Sequence, residues 1–118
     1  MSLNVPAELI QNVLDQMKND YVEFSTWLYG ENVEGRNKAI NDYKLGYIVG
    51  PTYIKLVKYN HADEPECTVG FVANKDVKGF KTGDLLKSAS WKAPALNKAR
   101  GSVFDSKSYQ NIKWTGVS

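Results

Sequence analysis

With 118 residues, 42% of them apolar and 12% aromatic, the chain reads as one domain, residues 1–118, long enough to bury a core without a disulfide or structural metal. Nothing approaches the run of roughly 18 apolar residues that a membrane span needs, and the N-terminus lacks the basic and apolar regions of a signal peptide. The net charge is only +2, and a lone cysteine, Cys67, has no partner within the chain, which agrees with a reducing cytoplasm.

The first element is helical. Leu9, Ile10, Val13, Leu14, Met17, Tyr21, Phe24 and Leu28 recur every three or four residues, one stripe of a helix from about Val5 to Leu28. Asn4 is the expected N-cap, Pro6 fits the first turn, and Gly30 is the expected stop. The opposite face carries Glu8, Asp15, Asp20 and Glu23 with only Lys18, which argues against an anionic lipid surface. The stripe is therefore expected to pack on the domain's own sheet. Glu31 to Asn41 is polar and reads either as a loop or as a short second helix ending near Asp42.

From Tyr43 the period changes. YKLGYIV and TYIKLVKY, joined by Gly50-Pro51, read as an antiparallel hairpin, although the second run alternates imperfectly. His61 to Pro65 is an acidic turn, and Glu66 to Ala73 a third strand. Asn74 to Gly83 reads as a loop, and Asp84 to Ser90 as a returning fourth strand that cannot pass Pro94. Ala93 to Arg100 has the composition of a short helix begun at Pro94 and stopped at Gly101. Ile112, Trp114 and Val117 supply a last strand or strap. The order predicts an α+β fold: an N-terminal amphipathic helix packed on a small antiparallel sheet of three to five strands, with an irregular basic C-terminal segment.

The net charge hides an asymmetry. From Asn74 to Ser118 nine cationic residues face three acidic ones, net +6, whereas Met1 to Ala73 carries net −4. Such a split points either to an anionic partner for the basic half or to attraction between the halves within one fold. Between Phe80 and Phe104 the cations Lys81, Lys87, Lys92, Lys98 and Arg100 stand against Asp84 alone, with Trp91 among them. Cations neutralise phosphates and an indole stacks on an unpaired base, which together bind single-stranded nucleic acid. The plainer reading makes Trp91 and Trp114 anchors that dock the tail on the sheet. A homodimer through an uncovered sheet face is a further alternative.

Catalytic signals are weak. His61 lies near Asp63, Glu64, Glu66 and Cys67, but one histidine and one thiol without a recurring ligand spacing make a remote case for a metal site or small enzyme. Cys67 as a nucleophile needs a depressed pKa, which acidic neighbours oppose, so a half-buried strand cysteine is the simpler reading. Glu31 and Glu34 sit on an expected surface loop, and no glycine pattern cradles a phosphate. No cofactor is implied.

The run GDLLKSASWKAPALNKARGSVFD, Gly83 to Asp105, resembles a segment of small proteins encoded by bacteriophages and occasionally by their hosts, in which an aliphatic strand precedes Ser-Trp-Lys-Ala-Pro-Ala and then Ala-Arg-Gly. TYIKLVKYN and CTVGFVAN resemble the corresponding part, so the likeness covers the C-terminal two thirds. It implies a phage origin, the host cytoplasm as location and no assigned activity. The expectation is a non-enzymatic binding module in which Lys87, Trp91, Lys92, Lys98 and Arg100 meet an acidic partner, either single-stranded nucleic acid or protein.

Overall fold

The computed structural model describes residues 2–118. Helix α1 (Ala7–Tyr29) and helix α2 (Val33–Asp42) precede a sheet of five antiparallel strands in sequential order, β1 (Lys44–Val49), β2 (Tyr53–Tyr59), β3 (Pro65–Ala73), β4 (Asp84–Leu86) and β5 (Gly101–Ser102). The expected α+β architecture is therefore present. Ile10, Val13, Leu14 and Met17 of α1 are fully buried and pack with Ile54, Leu56, Val72 and Leu85 of the sheet. At about 1.5–3 kcal/mol for each such side chain, this seam is a principal source of stability. The predicted stripe outruns the sheet, however: Leu28 is 52% exposed.

The helix start differs from expectation. Pro6, with ψ at 129°, is the boundary residue rather than part of the first turn, and Asn4 does not cap. Its backbone N–H instead donates to Asn74 Oδ1 at 2.8 Å, and its side-chain amide to the Asn74 carbonyl at 2.8 Å. Gly30 does stop the helix, with φ at 55° and its N–H bonded to the Thr26 carbonyl. The ambiguous stretch after it is helical because Asn32 accepts a bond from the Gly35 N–H. Lys18 of α1 donates to the Ile40 and Tyr43 carbonyls, which fixes the end of α2 against α1.

Two irregularities in the pairing of β2 with β3, between Leu56 and Val57 and between Lys58 and Tyr59, explain the imperfect alternation of the second strand. The chain after β4 corrects a prediction more sharply. No helix forms between Ala93 and Arg100, because the backbone groups there are already committed to the sheet. Ala95 N–H donates to the Lys87 carbonyl at 2.7 Å, Arg100 N–H to Leu85 at 2.7 Å, and Pro94 bridges Ser88. Gly101 accordingly opens β5 instead of ending a helix, and the regular part of the fourth strand stops at Leu86 rather than Ser90.

The last residues form a strap rather than a strand. Val117 N–H donates to the Val69 carbonyl at 2.7 Å, and Gly70 leaves the room for it: a Cβ there would lie 2.6 Å from Val117 Cγ2. Trp114 sits in an aromatic cluster with Tyr21, Phe24 and Tyr43. It ties the tail to α1 and Tyr43, whereas the plainer reading had both Trp91 and Trp114 dock on the sheet.

A lysine-ringed groove on the outer sheet face

Alternation along the strands sends Tyr53, Phe71 and Leu86 to the face opposite α1, where Phe80 joins them in a second, smaller core. Phe80 is brought there by the loop after β3, which closes on itself through reciprocal backbone bonds between Val77 and Phe80 of 3.0 and 2.8 Å. Burying Phe80 presses the loop onto the outer face and leaves Lys75, Val77 and Lys78 along the edge of a groove. The opposite wall is the β1–β2 turn, Val49 to Thr52, and the floor is Tyr53 and Phe71.

The groove has a volume of about 610 Å³ and is ringed by four cations, Lys55, Lys75, Lys78 and Lys92, with no carboxylate in its lining. None of the four is in an ion pair among the described residues. The nearest acid in sequence, Asp76, is turned to Thr82, whose N–H and hydroxyl donate to it at 2.8 and 3.0 Å. These bonds hold its carboxyl below the usual carboxylate range and keep it ionised. Four ammonium groups around an apolar floor therefore make a field of one sign, unneutralised from within.

Trp91 stands at the rim. Thr68 donates its hydroxyl to the Trp91 carbonyl at 2.9 Å, and Ser90 Oγ accepts from the N–H groups of Lys92 and Ala93, which sets the turn that carries both residues. Lys55 Nζ lies 4.3 Å from the centre of the indole, a cation–π contact. The tryptophan is 40% exposed, so part of the ring faces solvent.

Of the residues singled out by sequence, the structure brings Trp91 and Lys92 together here. Lys87 and Lys98 are exposed and lie outside the groove lining. Arg100 lines a different, smaller cavity of about 190 Å³ among α1-side residues such as Leu85, Tyr109 and Val117. Its Nε is buried without a partner among the described residues, and its terminal nitrogen donates to Asn97 Oδ1 at 3.2 Å. Sequence reasoning missed Lys55, Lys75 and Lys78 as partners of Lys92. The signal for Lys55 was its place in the same alternating set of β2 as Tyr53, opposite to Ile54 and Leu56.

The His61 to Cys67 stretch is arranged otherwise than a metal site. Asp63 pairs with Lys44 at 2.7 Å and Glu66 with Lys58 at 2.8 Å, and no group of three metal-ligating side chains gathers among the described residues. Cys67 is exposed on β3 rather than half-buried, and partial desolvation, with Glu66 adding to it against Lys58, pushes its thiol up. No described helix is long and apolar enough to cross a membrane.

Residues 3–118 match the model of a family of unknown function, DUF7717, and the chain belongs to that family. No curated protein and no solved structure matches it.

Proposed function

We propose that the protein is a non-enzymatic binding module of bacteriophage origin whose outer sheet face holds single-stranded nucleic acid. The observation that carries this reading is the ring of four lysines around an apolar groove, without ion pairs among the described residues, and the partly exposed Trp91 indole stacked against one of them, Lys55. The lysines are placed to neutralise successive phosphates, and Trp91 offers a base a surface for stacking. The resemblance of the Gly83 to Asp105 run to phage proteins supports the origin. The site residues in this reading are Trp91 and Lys92, joined by Lys55, Lys75 and Lys78, while Lys87, Lys98 and Arg100 add to the long-range field.

Titration of a short fluorescent oligothymidylate at several salt concentrations tests the reading. If all four lysines contact phosphates, the plot of log K against log salt falls with a slope of about −2.8, at about −0.7 per contact. The double variant Lys55→Glu with Lys92→Glu is expected to abolish binding, and Trp91→Ala to weaken it by about 1–3 kcal/mol if one base stacks there. Retention that ignores salt, or a double variant that binds like the wild type, refutes it.

A further inference from the structure

The corner where α1 meets α2 is apolar and acidic together. Trp27 is 77% exposed there, with Leu28 at 52% and Val33 at 50%, three large apolar side chains left open to solvent at one junction. Between Asn19 and Arg36 the sequence carries Asp20, Glu23, Glu31 and Glu34 against Arg36 alone; Asp20 accepts from the Trp114 N–H at 2.9 Å, whereas Glu23, Glu31 and Glu34 are exposed. The last turn of α1 has no basic residue, so the partial negative charge of the helix end adds to the carboxylates. This surface is the counterpart of the groove in both polarity and charge.

One copy cannot bring the two together. Helix α1 packs on the face opposite the groove, and it is the segment leading into α1 that neighbours the groove: Asn4 is bonded to Asn74, whose side chain also donates to Gly50 in the groove wall. The corner is at the other end of a 23-residue helix, about 34 Å away at 1.5 Å per residue. We propose that the Trp27 corner of one copy docks in the lysine-ringed groove of a second copy. Trp27 and Leu28 meet the apolar floor, and the corner carboxylates face Lys55, Lys75, Lys78 and Lys92. Such a contact joins different surfaces on its two sides, so it propagates head to tail. The corner's apolar core is small beside the roughly 800 Å² per partner of a standard interface, which makes the association weak and concentration-dependent. It shares the groove with nucleic acid, so self-association and oligonucleotide binding exclude each other.

Sedimentation velocity of the full chain over a concentration series at low salt is the test. The weight-average mass is expected to rise with concentration and to fall back as salt screens the contact. Trp27→Ser, at an exposed position, reduces the association constant about tenfold or more, as does Glu23→Lys with Glu34→Lys. The groove variant Lys55→Glu with Lys78→Glu is also monomeric, and mixing it with the reversed-corner variant restores association. A wild type that stays monomeric throughout, or corner variants that associate like the wild type, overturns the proposal. The corner variants keep oligonucleotide binding whereas the groove variant loses it. Self-association without oligonucleotide binding sinks only the nucleic-acid reading, and oligonucleotide binding by a strict monomer sinks only this one.

Discussion

Asn74 is fully buried, and every polar group of its side chain has a partner. Its Oδ1 accepts from Asn4 N–H at 2.8 Å, and its amide donates to the carbonyls of Ser2 and Gly50 at 2.9 Å each. One residue thus clamps the segment leading into α1 to the β1–β2 turn that walls the groove. Replacing it with alanine removes three hydrogen bonds, and at about 0.5–1.5 kcal/mol each the loss is about 1.5–4.5 kcal/mol. For a chain of this size that lowers Tm by about 10 °C. Asn74→Asp separates hydrogen bonding from mere volume. It keeps an acceptor for Asn4 but sets a carboxylate oxygen against two carbonyls, so it is expected to be at least as damaging as alanine. Thermal unfolding followed by circular dichroism measures both. If Asn74→Ala lowers Tm by less than about 2 °C, or if Asn74→Asp matches the wild type, the clamp does not hold the end of the sheet as argued.

Tyr43 donates its hydroxyl to the Trp114 carbonyl at 2.6 Å, and burial of the ring, helped by Cys67, Asp20 and Tyr21, raises its pKa well above the ordinary phenol range. Because the folded value exceeds the unfolded value of about 10, the associated stability is complete below that pH and is lost as pH rises beyond it, by up to about 1.4 kcal/mol per unit. Tyr43→Phe is expected to be less stable at neutral pH yet to decline less steeply in alkali; an unchanged alkaline slope in a Tm–pH series counts against the assignment. Gly70→Ala pushes a methyl to 2.6 Å from Val117 Cγ2 and should cost about 1–3 kcal/mol by lifting the strap. Adding Val117→Ala is expected to recover part of that loss in denaturant titration, and strict additivity of the two would contradict the contact.

The helix was legible from its strong period, and the hairpin and the third strand from their β-branched and aromatic runs, each bounded by a plain stop or turn such as Gly30 or Gly50-Pro51. The segment from Ala93 to Arg100 misled because helix composition is local, whereas its backbone partners, Lys87 and Leu85, are set by how the sheet closes. Trp27 escaped notice for a related reason. Next to Leu28 and three residues after Phe24, it looks like one more residue beside a core-facing stripe, and nothing in the sequence tells where the sheet beneath α1 ends. The groove was half legible. Trp91 and Lys92 stand out from their neighbours, but Lys55, Lys75 and Lys78 come from another strand and another loop, and only the pairing of β2 with β3 and the burial of Phe80 set them beside Lys92.

The charge split between the two parts of the chain admits two explanations, internal attraction or an external partner, and the ion pairs bear on the first. Among the described residues these are Lys44 with Asp63 and Lys58 with Glu66. Both pairs lie within the acidic part, Met1 to Ala73, where they engage two of its six cations and leave most of its carboxylates unmatched. No cation of the basic part, Asn74 to Ser118, is paired with a carboxylate of the other among those residues. Exposed pairs contribute little to stability in any case, which gives folding no reason to keep such a separation. A fold that sets four lysines around one groove and the exposed carboxylates Glu23, Glu31 and Glu34 about a distant corner maintains two surfaces of opposite sign. Oppositely charged surfaces of this kind act chiefly on encounter rates and on the choice of partner. The decisive variable is therefore salt: raising it should leave unfolding nearly unchanged while removing whatever the groove holds.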